Sequence, residues 1–189
     1  AARRLLIGVP LAGRTTPELR ELVAVTGNLV PVRIDIDDDQ GIGDYLRTVQ
    51  RSLALSLEHG SLPIDTLVTR LGMGGSTSRH PLVQFCFGMH DQLVPRHLAT
   101  RELSVRIEEL HGGGSQFDAT LFVSDSDPSF AGSLEYATGA LLPAEAEAFL
   151  ADFAEAVARL AGDPAQQILE DVRALSAPQR ARTSSRICC

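Results

Sequence analysis

The sequence has 189 residues, a length typical of one domain or of one domain with an appendage. Hydrophobic residues make up 44% of it and charged residues 22%, which excludes a disordered or fibrous protein. The net charge of −7 argues against nucleic-acid binding and against docking on anionic membranes. All 17 basic residues are Arg, which excludes mechanisms that need Lys. No apolar run approaches the ~20 residues of a membrane helix, so we expect a cytoplasmic protein.

The first part of the chain alternates predicted strands and helices. Residues 5–11 form a continuous apolar run, which predicts a strand buried on both faces. Pro17 predicts the start of a short helix that ends near Gly27, and the alternation over residues 29–36 predicts a second strand. Asp44 is expected to cap the next helix. The apolar face of that helix should comprise Leu46, Val49, Leu53 and Leu57.

The rest of the chain predicts more strands and ends in a long helix. Pro63 is expected to begin another short helix. Four further strands are expected, at residues 81–89, 102–110, 117–123 and 130–136. The first of these is the most apolar and is the best candidate for a central strand, whereas the last two should form a hairpin. The longest helix should run from Pro143 to Gly162. Its predicted apolar stripe comprises Phe149, Phe153, Val157 and Leu160.

This order of elements predicts an α/β or α+β layered domain with a mixed sheet covered by helices. We expect that domain to span residues 1–176, followed by an Arg- and Ser-rich linker or disordered tail at residues 177–189. The three cysteines do not make a disulfide framework. Cys86 stands in an apolar run, which is typical of a buried small hydrophobic residue.

Short motifs by themselves identify no catalytic or metal site. Residues 111–114 (HGGG) match an esterase oxyanion loop, but the Gly-x-Ser-x-Gly that this chemistry requires does not occur. Asp35, Asp37 and Asp39 have the spacing of calcium ligands in an EF-hand, yet Gln40 stands where that loop needs Gly. The five histidines show no metal-ligand spacing. We therefore predict no metal site.

Six segments in order carry a resemblance to a known family. They are residues 7–14 (IGVPLAGR), 27–33 (GNLVPVR), 59–65 (HGSLPID), 78–85 (SRHPLVQF), 117–118 (FD) and 132–136 (GSLEY). The family patterns are a strand ending in Ala/Ser-Gly-Arg, then Gly-x-x-Val-Asn-Thr-x-Pro-x-Arg, His-Gln-Asp-x-Pro-Phe-Glu, Ser-Arg-x-Pro-Leu-x-Gln, Phe-Asp-Leu and Gly-x-Leu-x-Tyr. Together the segments resemble the C-terminal lobe of condensation domains from nonribosomal peptide synthetases.

The resemblance implies one lobe of a chloramphenicol-acetyltransferase-like fold. In the family two such lobes form a V around a tunnel, and substrates reach it on the phosphopantetheine arms of carrier domains. An acceptor amine attacks a donor thioester, so no cofactor is bound directly. By resemblance, Ala12, Gly13 and Arg14 would lie at the tunnel on the acceptor side. The residues expected to support the architecture are Arg33, His59, Pro63, Asp65, Ser78, Arg79, Pro81 and Asp118.

The sequence also departs from the family pattern. The catalytic His-His-x-x-x-Asp-Gly, which belongs to the N-terminal lobe, does not occur in it. Pro31 directly follows Val30, so the Val-Asn-Thr stretch reads as shortened and its Asn as lost. His59 precedes Gly60-Ser61 instead of Gln-Asp. We therefore predict no catalytic residue in this chain and no activity by the chain alone.

Three hypotheses follow. The first is an enzyme fragment that works with carrier domains, neighbouring synthetase domains and a separate N-terminal lobe, supplied in cis or in trans. The second is a non-catalytic module that binds a carrier protein or complements that lobe. The third is a stand-alone acyltransferase acting on a CoA thioester, with His59 or His111 as its base. A lobe without its partner should expose apolar surface, so we expect the isolated chain to form homodimers or to be poorly soluble.

Overall fold

The computed structural model describes residues 3–37, 40–74, 79–90, 97–106, 112–126 and 129–162. The strands are β1 (Arg3–Leu11), β2 (Asn28–Ile36), β3 (Phe85–His90), β4 (His97–Ala99), β5 (Ser104–Arg106), β6 (Ala119–Ser126) and β7 (Ser129–Tyr136). The helices are α1 (Pro17–Glu21), α2 (Ile42–Glu58), α3 (Ile64–Arg70) and α4 (Pro143–Gly162). None of these helices is both long and apolar enough to cross a lipid bilayer.

Five strands form one mixed sheet in the order β2-β1-β3-β6-β7. The β1–β2 and β6–β7 pairs are antiparallel, whereas β3 pairs in parallel with both β1 and β6. The strands β4 and β5 form a separate antiparallel pair. The predicted mixed sheet, its central strand and the β6–β7 hairpin are therefore confirmed.

One part of the core lies where α2 packs against β2. A second part lies around β3 and β6 and comprises Val83, Cys86, Ala119 and Leu121. Alternate residues of β2 are buried, as the sequence pattern predicts: Val30 and Val32 are each 3% exposed, and Ile34 is also buried. Ile42, the first residue of α2, is fully buried. Each such side chain contributes about 1.5–3 kcal/mol of hydrophobic stabilisation.

Two strand predictions need correction. The apolar run of β1 is not buried on both faces, because only Gly8 is buried and the residues beside it are half-buried. Its apolar character instead reflects a position inside the sheet, with β2 on one edge and β3 on the other. In the segment 102–110 the strand is confined to Ser104–Arg106, and residues 107–110 lie outside the described residues.

The predicted cap of α2 is wrong by three residues. The helix begins after Gly41, which makes no side-chain cap, and Asp44 in its first turn pairs with Arg47 instead. Leu46 and Leu57, predicted to face the core, are exposed. Val49 and Leu53 of the predicted face are half-buried, as is Tyr45, and burial raises the pKa of Tyr45.

The long helix has the predicted bounds, and Phe153 and Leu160 of its predicted stripe are half-buried. Phe149 and Val157 of the predicted stripe are exposed, whereas Ala146 is buried. A small side chain at the contact lets a helix approach its neighbour closely.

Cys86 is buried as predicted, and burial raises the pKa of its thiol to about 12. The predicted tail at residues 177–189 lies outside the described residues.

Candidate functional site

The turn after β1 holds the three residues predicted to lie at the tunnel. Gly13 has φ +66°, a conformation that favours glycine, and a Cβ there would lie 2.0 Å from the carbonyl oxygen of Thr26. The Thr26 hydroxyl donates to the carbonyl oxygen of Ala12 at 2.8 Å. The turn is thus held against the residues that lead into β2, and only glycine fits at its centre.

Arg14 is engaged with backbone carbonyl groups. Its guanidinium donates to the carbonyl oxygens of Leu19 at 2.5 Å, Leu22 at 2.7 Å and Ala24 at 3.2 Å, with a longer contact to Arg20. Terminal carbonyls of a helix lack partners within the helix. The guanidinium supplies such a partner to Leu19. The helix ends at Glu21, where Leu22 becomes extended, and not near Gly27 as predicted.

Residues 17–25, which we call the strap, are attached to the lobe without contributing to its core. No residue of α1 is buried, and the side chains of Val23 and Val25 are each 100% exposed. Leu22 is also exposed. The strap therefore presents apolar side chains to solvent beside the Ala12–Arg14 turn while Arg14 fixes its backbone.

Asn28, at the start of β2, is a functional candidate that our sequence reasoning missed. Its Nδ2 donates to the carbonyl oxygens of Gly60 at 2.8 Å and Leu62 at 2.7 Å, and its Oδ1 accepts from the N–H of Ile64 at 3.1 Å. Counted back from Pro31, Asn28 occupies the Asn position of the family's Asn-Thr-x-Pro-x-Arg. The sequence therefore contains the family's Asn, which is found when the pattern is aligned from Pro31 and missed when it is aligned from Gly27.

The loop that Asn28 holds carries two of the predicted structural residues. His59 ends α2, where its N–H donates to the carbonyl oxygen of Ser56 at 3.2 Å, and its side chain is exposed. Gly60 is buried, and a Cβ on it would lie 2.7 Å from the Leu11 side chain. Pro63 is the N-cap residue of α3, and its fixed φ suits the extended conformation there.

A small, mostly apolar cavity lies beside this loop. Its volume is about 200 Å³. The residues lining it are Leu29, Val30, Pro31, Ser56, His59, Leu62, Ile64 and Leu67. We use the name turn cluster for residues 12–14, 26, 28 and 59–64, which Asn28, Gly60 and Thr26 bring together at one end of the β1–β2 pair.

A second group lies at the start of the central strands. Arg79 makes a two-point ion pair with Asp118: Nε donates to Oδ1 at 3.0 Å and Nη2 contacts Oδ2. Asp118 is only 8% exposed. The ring of His80 lies 5.4 Å from that of Phe117. We use the name strand-start cluster for Arg79, His80, Phe117 and Asp118. Two-point ion pairs such as Arg79–Asp118 are among the stronger polar contacts in proteins.

The remaining predicted residues join neither cluster directly. Arg33 pairs with Asp35 at 3.1 Å on an exposed part of β2. Asp65 lies in the first turn of α3, and half-buried Pro81 precedes β3. Ser78 and His111 lie outside the described residues. Among the residues that the structure describes, no group of three or more His, Cys, Asp or Glu side chains could hold a metal ion.

Comparison with protein families assigns the chain. The family model for the condensation domain matches residues 1–181. The chain belongs to the condensation-domain family. Among curated relatives, N-(5-amino-5-carboxypentanoyl)-L-cysteinyl-D-valine synthase of Amycolatopsis lactamdurans is 29% identical over 180 residues, covering 94% of this chain and 5% of the relative. Phosphinothricin tripeptide synthetase PhsC of Streptomyces viridochromogenes is 29% identical over 167 residues, which cover 88% of this chain and 15% of the relative.

Solved structures show the same fold. A holo four-domain nonribosomal peptide synthetase bound to AMP and glycine superposes with a TM-score of 0.78 at 24% identity, covering 88% of this chain and 14% of that one. The condensation domain of the monacolin K polyketide synthase MokA superposes with a TM-score of 0.71 at 18% identity, covering 87% of this chain and 38% of that one. This condensation-type chain therefore spans well under half the length of the relatives and structures that it matches.

Proposed function

We propose that this condensation-type chain is the C-terminal lobe of a domain that joins two carrier-bound substrates through an amide bond. The observation that carries the proposal is the coverage: 87% of this chain fits onto a condensation-domain structure while spanning only 38% of it. A chain that fits almost whole within a longer fold supplies one part of that fold. The complete domain would need a second part to close a substrate tunnel.

The strap supports a tunnel-wall role for this lobe. The side chains of Val23 and Val25 are fully exposed, so they contribute no hydrophobic stabilisation to this chain. They would contribute it if another protein surface covered them. Ala12 and Gly13 lie beside the strap, on the same turn as Arg14. In the complete domain the strap would face the N-terminal lobe, and Arg14 would act by holding the strap instead of touching substrate.

The proposed reaction divides between the two lobes. The acceptor amine attacks the carbonyl carbon of the donor thioester, the C–S bond breaks, and the donor's phosphopantetheine leaves as a thiol after the amine loses a proton. The base that assists would lie in the family's His-His-x-x-x-Asp-Gly, a sequence that these 189 residues do not contain. This lobe would position substrates, and both phosphopantetheine arms would stay on their carrier domains.

A second candidate function is a non-catalytic docking module. A solved complex of the X-domain and OxyB from teicoplanin biosynthesis superposes with a TM-score of 0.75 at 19% identity, covering 92% of this chain and 38% of that one. The same fold thus occurs in a chain of that complex. In this alternative the chain would recruit a partner without forming any bond.

Reconstitution from two separate lobes tests the proposal. This chain and a condensation-domain N-terminal lobe carrying His-His-x-x-x-Asp-Gly would be purified separately and supplied with donor-loaded and acceptor-loaded carriers, and the amide product measured by mass spectrometry. We expect product only when both lobes are present.

A matched pair of variants locates the contact between the lobes. Val23→Asp should reduce product formation by weakening association of the lobes, whereas Val157→Asp on α4 should change it little. Product from this chain alone would overturn the lobe assignment. Tight binding of the two lobes or of a carrier without any product would instead favour the docking module.

A further inference from the structure

His80 closes the turn that leads into the central strand β3. Its Nδ1 accepts hydrogen bonds from the backbone N–H groups of Leu82 at 3.3 Å and Val83 at 3.0 Å. Its own carbonyl oxygen accepts from the side chain of Gln84 at 3.1 Å. Val83 is fully buried, so water cannot readily replace the acceptor that its N–H uses. One imidazole nitrogen therefore fixes the backbone of two consecutive residues, Leu82 and Val83.

The surroundings of His80 combine an aromatic ring with three charged groups. The Phe117 ring packs against it at an angle of 50°. Arg79 and Asp118 neutralise each other in the adjacent ion pair, and Asp65 of α3 lies near enough to favour the charged imidazole. Burial outweighs Asp65 and lowers the pKa of His80 below 6.5. At neutral pH the ring is therefore an uncharged acceptor.

We propose that His80 is a pH-sensitive latch that holds the start of β3 when neutral and releases it when Nδ1 is protonated. A protonated imidazole carries a hydrogen on both ring nitrogens, so Nδ1 can no longer accept. The N–H groups of Leu82 and Val83 then lose their acceptor, and a positive charge arises next to Arg79. The neutral nitrogen acts as an Asn side-chain oxygen does in an Asx turn, but unlike that oxygen it titrates.

The direction of the pH effect follows from the lowered pKa. The unfolded chain, with an ordinary histidine pKa of 6.5, takes up the proton before the folded chain does. The stabilisation from neutral His80 is therefore fully present above pH 6.5 and is lost progressively as the pH falls toward the lower folded pKa. Below that value both states are protonated and the contribution is absent.

Urea unfolding of the 189-residue chain and of His80→Asn tests the latch. The Asn oxygen can accept the same two N–H groups and does not titrate between pH 5 and 8. We expect the unfolding equilibrium constant of the parent chain, divided by that of His80→Asn, to stay constant above pH 7. Below pH 6.5 the ratio should rise by up to about tenfold per pH unit, the limit for one proton.

The control is His59→Asn, which removes an exposed imidazole. A ratio for His80→Asn that is independent of pH, or that rises no more steeply on acidification than the ratio for His59→Asn, would overturn the proposal. A second readout needs no cooperative unfolding transition. The ¹⁵N NMR signals of the His80 ring at pH 7 should show a hydrogen on Nε2 and none on Nδ1, whereas a hydrogen on Nδ1 would also overturn it.

Discussion

The turn cluster and the strand-start cluster lie in the same chain but are held together by different chemistry. In the turn cluster, Arg14, Thr26 and Asn28 all bind backbone carbonyl groups, and no carboxylate takes part in those bonds. In the strand-start cluster, the side chains of Arg79 and Asp118 bind each other, and the carboxylate is buried. The first cluster shapes an exposed surface, whereas the second anchors the middle of the sheet.

This difference predicts different consequences of substitution. Loss of a contact in the strand-start cluster leaves a buried charge without compensation, so global stability should fall. Loss of a contact in the turn cluster should lower global stability less, and where the contact holds a surface segment such as the strap it should mainly change local order. Four substitutions test this contrast, from the largest expected effect to the smallest.

Arg79→Ala should be the most destabilising. It leaves Asp118 buried without its cation. Because about half of the Arg79 side chain is exposed, the free energy of unfolding should fall by about 3 kcal/mol, the lower end of the range for buried pairs. Arg33→Ala is the matched control, because that Arg pairs with Asp35 on the surface and such pairs contribute about 0–1 kcal/mol. Equal losses in urea unfolding of the two variants would contradict an anchoring role for the Arg79–Asp118 pair.

Gly13→Ala should cost about 2–3 kcal/mol, from a left-handed conformation and from contact with the Thr26 carbonyl. Gly72→Ala separates the two causes, because Gly72 has φ +67° but no atom within 4 Å of its Cβ position. It should cost only about 1–2 kcal/mol. Thermal unfolding of both variants measures the difference, and identical losses would show that the close approach to Thr26 has no energetic weight.

Asn28→Asp keeps the shape of the side chain but removes its two donors. A carboxylate oxygen would then face the carbonyl oxygens of Gly60 and Leu62, which should destabilise the chain by about 2 kcal/mol. The loss of stability should be larger at pH 7, where the introduced carboxyl group is ionised, than at pH 4, close to the ordinary pKa of Asp. Urea unfolding at pH 4 and pH 7 checks this expectation, with Asn28→Ala as the neutral control; a smaller loss at pH 7 than at pH 4 would contradict it.

Arg14→Lys should have the smallest effect on global stability, about 1 kcal/mol. A single ammonium cannot reach all the carbonyl groups that the planar guanidinium contacts, so the strap should open more often. Faster backbone hydrogen exchange and faster protease cleavage within residues 17–25 are the expected readouts. Arg33→Lys should leave both unchanged, and an equally protected strap in Arg14→Lys would show that other contacts hold it.

The sequence by itself determined the kinds of elements and their order along the chain. Alternating apolar residues marked β2, Pro63 and Pro143 marked the starts of helices, and Cys86 was correctly placed in the interior. These features depend on neighbours a few residues apart, which a linear pattern contains. The order of short motifs also indicated the family, because enough of the family's residue types recur in the same order even where single motifs depart from the pattern.

Tertiary structure alone decided how the elements end and which side chains meet. Arg14 binds carbonyl groups five to ten residues further along the chain, and the buried face of α2 depends on how that helix packs against β2. Asn28 finds its partners more than 30 residues away, at Gly60 and Leu62. Local pattern does not encode such contacts, because backbone carbonyls carry no sequence signature and become available as partners only where the folded chain places them.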